Sequence, residues 1–113
     1  MKPEKNTKKL YDNQADDWSR SDPILLSDYS ARPFVLDLCE PLAGLKVLDL
    51  GCGEGYVGRQ MLKRGANHVD GIDISDNMIR NAIQIQQNEK IHNATYNVMD
   101  ISEFKVDRED EYD

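Results

Sequence analysis

Apolar residues recur along this chain in two different rhythms, and the alternation between them sets the predicted elements. Between residues 7 and 20, Leu10, Tyr11, Ala15 and Trp18 fall at three- and four-residue spacing on an otherwise charged stretch, which predicts a helix with a narrow apolar stripe. Such a stripe suits a peripheral helix held by Trp18 and equally a lid over a ligand site, and the pattern leaves both open. Ser21, Asp22 and Pro23 break that helix. In the connector over residues 24–30, Leu25, Leu26 and Tyr29 are assigned to the core in preference to substrate contact.

Pro33 fits the first turn of a second helix running to Glu40, with Phe34, Val35, Leu38 and Cys39 as its expected buried face before Pro41 and Gly44 end it. Val47, Leu48 and Leu50 then mark a strand that runs into glycines at 51, 53 and 55. Beyond Gly55 the period turns helical. Val57, Met61 and Leu62 are expected inside, Arg59, Gln60, Lys63 and Arg64 outside, and Gly65 is the expected left-handed terminator. Residues 68–74 read as a second strand, and Ser75 as the cap of a helix whose apolar side is Met78, Ile79, Ala82, Ile83 and Ile85. Residues 94–99 form a third, β-rich strand.

Strand, helix, strand, helix, strand with helices of this length requires right-handed crossovers and parallel pairing. The predicted class is therefore α/β: a Rossmann-like parallel sheet in the order 3-2-1, with the second half of a doubly wound sheet missing. Residues 1–44 are expected as a helical cap or lid and 45–113 as the partial sheet domain. The tail from Ser102 onward is acidic and is expected to end without an element, leaving one edge of the first strand uncovered and available for self-association or pairing.

At 113 residues and 39% hydrophobic content the chain has material for one small domain. A net charge of -7 disfavours nucleic acid as a partner. The lysines near the N-terminus are followed by no apolar run, so neither a leader nor a membrane span is drawn, and a cytoplasmic location is the expectation. Cys39 and Cys52 lack metal-site spacing and are expected as reduced thiols in a packed interior, with no metal site.

Chemistry concentrates at the strand ends. Asp49 closes the first strand, Asp73 lies near the end of the second, and Asp100 follows the third, the edge at which open parallel sheets bind ligands. Asp73 stands about twenty residues past the glycine loop, where a carboxylate reaches ribose hydroxyls; capping beside Ser75 is its structural alternative. Asp100 carries a weaker signal, because Asp is common after strands. Gly53, Gly55 and Gly58 also satisfy the dinucleotide fingerprint, but no G-K-[ST] follows, which excludes a P-loop.

Together V-L-D-L-G-C-G-E-G, G-I-D-I-S and N-V-M-D resemble the class I S-adenosylmethionine-dependent methyltransferases. The resemblance implies that Gly51, Gly53 and Gly55, with Cys52, pass the methionine part of S-adenosyl-L-methionine and that Asp49 holds its amino group. It implies further that Asp73 binds the ribose, that Ile74 and Met78 pack near adenine, and that Asp100 and the Ile101 backbone read the adenine edge. The segment Y-D-N-Q-A-D-D-W is similar to a helix laid over the cofactor by small-molecule members, which would bring Tyr11 and Trp18 to the site. The implied partner is a small-molecule methyl acceptor, and the implied product S-adenosyl-L-homocysteine. Charge favours this donor over a nicotinamide dinucleotide, because Asp49 and Glu54 would repel a pyrophosphate and attract an ammonium and a sulfonium. A non-catalytic module docking through the strand edge is the alternative from another class. His68, at the far end of its strand, and His92, in a loop, are assigned surface or structural roles.

Overall fold

A computed structural model describes residues 3–20, 22–23, 25–106 and 111–113, with side chains from residue 6 onward. The expectations for Ser21, Ile24 and the acidic stretch 107–110 lie outside the described residues. The elements are α1 (Pro3–Trp18), α2 (Leu26–Tyr29), α3 (Ala31–Leu38), β1 (Lys46–Leu50), α4 (Tyr56–Lys63), β2 (His68–Asp73), α5 (Asp76–Asn88), β3 (Ala94–Val98) and a closing 3-10 turn over Ile101–Glu103.

The sheet has the expected order, with β2 between β1 and β3 and both pairings parallel. Lys46 stands opposite His68, and Val69 opposite Ala94, so the C-terminal ends of the strands come level where Leu50, Asp73 and Val98 finish. Central position makes β2 the most enclosed strand: Val69 and Ile72 are fully buried. Ile79 and Ala82 of α5 pack with Ala94 and Tyr96 of β3 into one cluster. Local signals end the helices as predicted. The Ser75 hydroxyl accepts the Met78 N–H at 3.2 Å, and Gly65 follows α4 at φ +102°.

Tertiary contact overrides the apolar pattern in several places. In α3 the expected face of Phe34, Val35, Leu38 and Cys39 is exposed, and Leu36 is the residue that is buried. The helix packs against α2 and α4 beside the sheet, so a run of near-continuous apolar residues offers several faces and the neighbours select one. Leu26 and Tyr29 are likewise exposed, correcting their assignment to the core, and so is Ile83 of α5. Arg59, expected outside, is 2% exposed.

The tail also differs from expectation. It forms the 3-10 turn and then returns to the outer edge of β1, where the Asp113 N–H donates to the Lys46 carbonyl at 2.8 Å and the Lys46 N–H to Asp113 Oδ2 at 2.8 Å. The Tyr112 hydroxyl donates to Asp70 at 2.6 Å. The edge of β1 is thus engaged at its first residue. Among the described residues no helix is long and apolar enough to cross a membrane.

Candidate functional site

A cleft of about 630 Å3 opens over the C-terminal ends of the strands. The crossover geometry puts it there: each strand ends in a turn leading to the next helix, and the turns leave a crevice between them. Of the twelve residues expected at the site, eleven line it: Asp49, Gly51, Cys52, Gly53, Asp73, Ile74, Met78, Asp100, Ile101, Tyr11 and Trp18. Gly55 does not; it lies beneath the loop, against Tyr96 and Arg59.

Asp73 makes the contact beside Ser75 that was its structural alternative, and a second contact to the glycine loop, while lining the cleft. Oδ2 accepts the Gly53 N–H at 2.8 Å and Oδ1 the Ser75 N–H at 2.9 Å, so the side chain ties the glycine loop to the start of α5 while facing the cleft. Asp100 accepts from both the N–H and the hydroxyl of Ser102 at 2.9 Å, and the backbone bond foremost holds its carboxyl below the usual range. Asp49 sits deeper. Burial, and then the nearby charge of Asp73, push its pKa up to about 6. Burial also raises the Cys52 thiol, which is therefore protonated and unreactive near neutral pH.

The first helix reaches the cleft through polar docking. Lys8 pairs with Asp76 at 2.9 Å, Asp12 Oδ1 accepts from the Ser75 hydroxyl and from the Asn77 N–H at 3.2 Å, and Asn81 donates to Asp16 at 3.1 Å. These bonds lie along the start of α5, so α1 stands over the cleft rim with Tyr11 and Trp18 turned toward it. Of its predicted stripe, Ala15 is buried and Leu10 is half exposed.

Several lining residues were not anticipated, namely Thr7, Arg20, Arg32, Tyr56, Val57 and Met99, and Glu54, expected to act on the ligand's charge, lines the cleft too. Glu54 matters most for the charge argument. Its carboxylate is 3% exposed, paired with Arg59 and 3.5 Å from Arg20, so its charge is satisfied inside the protein and only Asp49 and Asp73 stand against an anion at the loop. Arg20 is sealed too: both Asp28 oxygens accept from it at 2.6 Å, and its guanidinium lies 4.2 Å from the centre of the Tyr56 ring. Arg32 keeps a side chain 28% exposed. No apolar period marks these arginines: Arg32 pairs with Asp28 four residues away and Arg20 with Asp28 eight away, while the Arg59 bond to the Arg20 carbonyl spans 39 residues. His68 lies at the opposite end of β2, bonded to Asp70 at 2.8 Å, and His92 lies in the loop before β3, as expected. Among the described residues no group of His, Cys, Asp or Glu could hold a metal ion.

Comparison with known proteins points one way. A family model described as a methyltransferase domain matches residues 41–113. A ubiquinone biosynthesis O-methyltransferase from Neisseria meningitidis serogroup A is 33% identical over 90 residues, a match covering 77% of this chain and 35% of that protein. The chain spans no more than about a third of the curated relatives it matches. Magnesium protoporphyrin IX methyltransferase from Synechocystis PCC 6803, solved with bound S-adenosylhomocysteine, superposes with a TM-score of 0.71 at 22% identity, over 90% of this chain and 53% of that one, a likeness of fold. Phosphoethanolamine N-methyltransferase 2 from Haemonchus contortus, solved with phosphomonomethylethanolamine and S-adenosylhomocysteine, matches at 31% identity with a TM-score of 0.62, over 68% of this chain and 18% of that one.

Proposed function

The chain belongs to the methyltransferase-domain family, and from that premise we propose that its cleft binds S-adenosyl-L-methionine for methyl transfer to a small-molecule acceptor. The observation that carries the reading is the pair of carboxylates, Asp49 and Asp73, beside a glycine loop in one cleft. They favour a ligand that brings an ammonium and hydroxyls and disfavour a pyrophosphate. The loop has room for it: a Cβ at Gly51 would meet nothing within 4 Å, and one at Gly53 only the Met78 sulfur at 3.9 Å.

Residue by residue, Asp49 would hold the amino group of the cofactor, Asp73 the ribose hydroxyls, Ile74 and Met78 the adenine face, and Asp100 with the Ile101 backbone the adenine edge. Gly51, Cys52 and Gly53 flank the methionine tail, Gly55 shapes the loop from below, and Tyr11 and Trp18 cover the cofactor from α1. Arg32 supplies what the acidic floor lacks. Its side chain lines the cleft from the segment before β1 and offers the tail carboxylate a cation. The division into a helical cap over residues 1–44 and a cofactor-binding domain over 45–113 belongs to this reading.

Bound S-adenosylmethionine supplies a methyl group already activated by its sulfonium. The protein's residues then have the work of alignment and water exclusion, which asks little of acid-base groups. Neither histidine faces the cleft. The acceptor, its deprotonation and the atom methylated belong to the whole enzyme, of which this chain forms the cofactor-binding part.

Titration calorimetry with S-adenosylhomocysteine tests the reading and carries a pH signature. Asp49, with its pKa near 6, is ionised above that pH and attracts the ammonium; below it the carboxyl is neutral. Affinity should rise with pH and level off above about 7, with the dissociation constant about tenfold larger at pH 5 than at pH 7.5. Asp49→Asn should flatten the profile. Absence of binding at pH 7.5, or tighter binding of NAD, would reject the cofactor.

Asp73→Ala should weaken binding by about 1–3 kcal/mol through lost charge-assisted hydrogen bonds. Because the same carboxylate holds the Gly53 and Ser75 N–H groups, the variant should also unfold at lower temperature. An unchanged dissociation constant in a folded variant would remove Asp73 from the ribose site.

A further inference from the structure

Behind the cleft wall an ionic network joins the glycine loop to Arg32. Glu54, within the loop, pairs with Arg59 and approaches Arg20 at 3.5 Å. Arg59 donates to the Arg20 carbonyl at 2.7 Å, which fixes the backbone on which Arg20 is carried. Arg20 then grips both oxygens of Asp28, whose side chain is 0% exposed. Asp28 also accepts the Leu25 N–H at 3.0 Å and Arg32 Nη1 at 2.9 Å. Ser27, the preceding residue on α2, meets the same Nη1 through its hydroxyl.

Two features separate this arrangement from ordinary structural pairing. One carboxylate, Asp28, is shared by two guanidinium groups, which leaves Arg32 with positive charge to offer outward. Both anchors of Arg32 engage one nitrogen, so Nη2 and Nε are uncommitted among the described residues while the side chain lines the cleft. A guanidinium held by one corner with its remaining donors presented is pre-organised for a planar, two-oxygen acceptor. Pre-organisation of this kind lowers the ordering cost of binding.

We propose that Ser27 and Asp28 are positioning residues that aim Arg32 at the carboxylate of the cofactor's methionine tail and lock that aim to the glycine loop through Arg20 and Glu54. The proposal rests on the cofactor reading above and adds to it a specificity for the amino-acid end of the ligand. Asp73 and Asp100, assigned to the adenosine, bond to Gly53, Ser75 and Ser102 and to none of the charged groups of this network.

The full chain is titrated with S-adenosylhomocysteine and with 5′-methylthioadenosine, which keeps the adenosine and thioether and lacks the amino-acid tail. Arg32→Gln should lower affinity for S-adenosylhomocysteine by about tenfold and leave 5′-methylthioadenosine within about twofold. Asp28→Asn should produce the same selective loss, and Ser27→Ala, which disturbs no buried charge, a smaller one of the same kind; circular dichroism establishes that each is folded. If Asp28→Asn does not fold, Ser27→Ala decides. Equal loss of both ligands in either positioning variant would show a merely structural role and overturn the proposal, as would an unchanged preference for the tailed ligand. A wild-type protein that binds neither ligand rejects the cofactor reading itself, whereas one that binds both with equal affinity retains the adenosine site and rejects the roles of Arg32 and Asp49 at the tail.

Discussion

Arg59→Met is expected to destabilise the protein by about 3–5 kcal/mol, although methionine nearly preserves the side chain's reach and apolar bulk. The loss is electrostatic. Arg59 and Glu54 are 2% and 3% exposed and pair directly, and Arg59 further donates to the Glu54 carbonyl and to that of Arg20. Removing the guanidinium leaves a buried carboxylate with only Arg20, at 3.5 Å, as its cationic neighbour, and leaves the main-chain carbonyls of Glu54 and Arg20 without this donor. For a domain of this size the unfolding midpoint should fall by roughly 15 °C or more, read by circular dichroism. The double variant Arg59→Met with Glu54→Gln should recover part of the loss, because the amide carries no charge to strand. A single-variant effect under about 1 kcal/mol would mean that the ion pair does not exist in solution.

This prediction comes from the part of the molecule that the sequence concealed. Arg59 sits where the helical period of α4 predicts an outward residue, and a lone arginine on a helix is ordinarily solvated. Its burial depends on Arg20 and Glu54, brought to it by the fold. Arg20 and Asp28 were hidden because the apolar pattern does not mark an ion pair eight residues apart, and Arg32, at i,i+4 from Asp28, reads as an ordinary surface pair until the fold buries Asp28. In α3 the obstacle was different. Phe34, Val35, Leu36 and Leu38 are apolar on more than one face, so the pattern contains a helix but no orientation, and packing against α2 and α4 picks Leu36.

What was legible was local or topological. Strand β1, the glycine turn and α4 follow one another in a stretch where each residue's role is determined within a few neighbours, and the Ser75 cap and the Gly65 terminator depend only on adjacent backbone. The meeting of Asp49, Asp73 and Asp100 in one cleft follows from parallel pairing, which brings the C-terminal ends of all three strands to the same edge. Spacing along the chain then suffices to assemble a site whose members are far apart in sequence. It could not reveal that Asp73 would spend both oxygens on the backbone of the loop and of α5 while facing the ligand space.

Gly55→Ala is the second large effect, and it can be divided into its causes. Gly55 caps α4 in the left-handed region, at φ +89°, where any other L-residue is strained by about 1–2 kcal/mol. A Cβ there would also lie 2.7 Å from the Tyr96 hydroxyl oxygen and 3.0 Å from Arg59 Nη1, overlaps that cost about a further 1–3 kcal/mol. The sum, about 2–5 kcal/mol, should appear as a lowered unfolding midpoint and, because the loop is displaced from Asp73, as weaker binding of S-adenosylhomocysteine. Tyr96 allows the two terms to be separated. Its hydroxyl is buried beside Arg59 and has no partner in hydrogen-bonding geometry among the described residues, so Tyr96→Phe alone should be neutral or slightly stabilising. In the double variant the closest overlap is gone while the backbone strain, the ring carbon Cε1 at position 96, 3.0 Å away, and the Arg59 contact remain, so Tyr96→Phe should rescue Gly55→Ala by about 1 kcal/mol. Strictly additive variants would show that the phenol hydroxyl does not press on the loop, and would leave the backbone angle and the remaining contacts with Arg59 and the ring as the reason for glycine at this position.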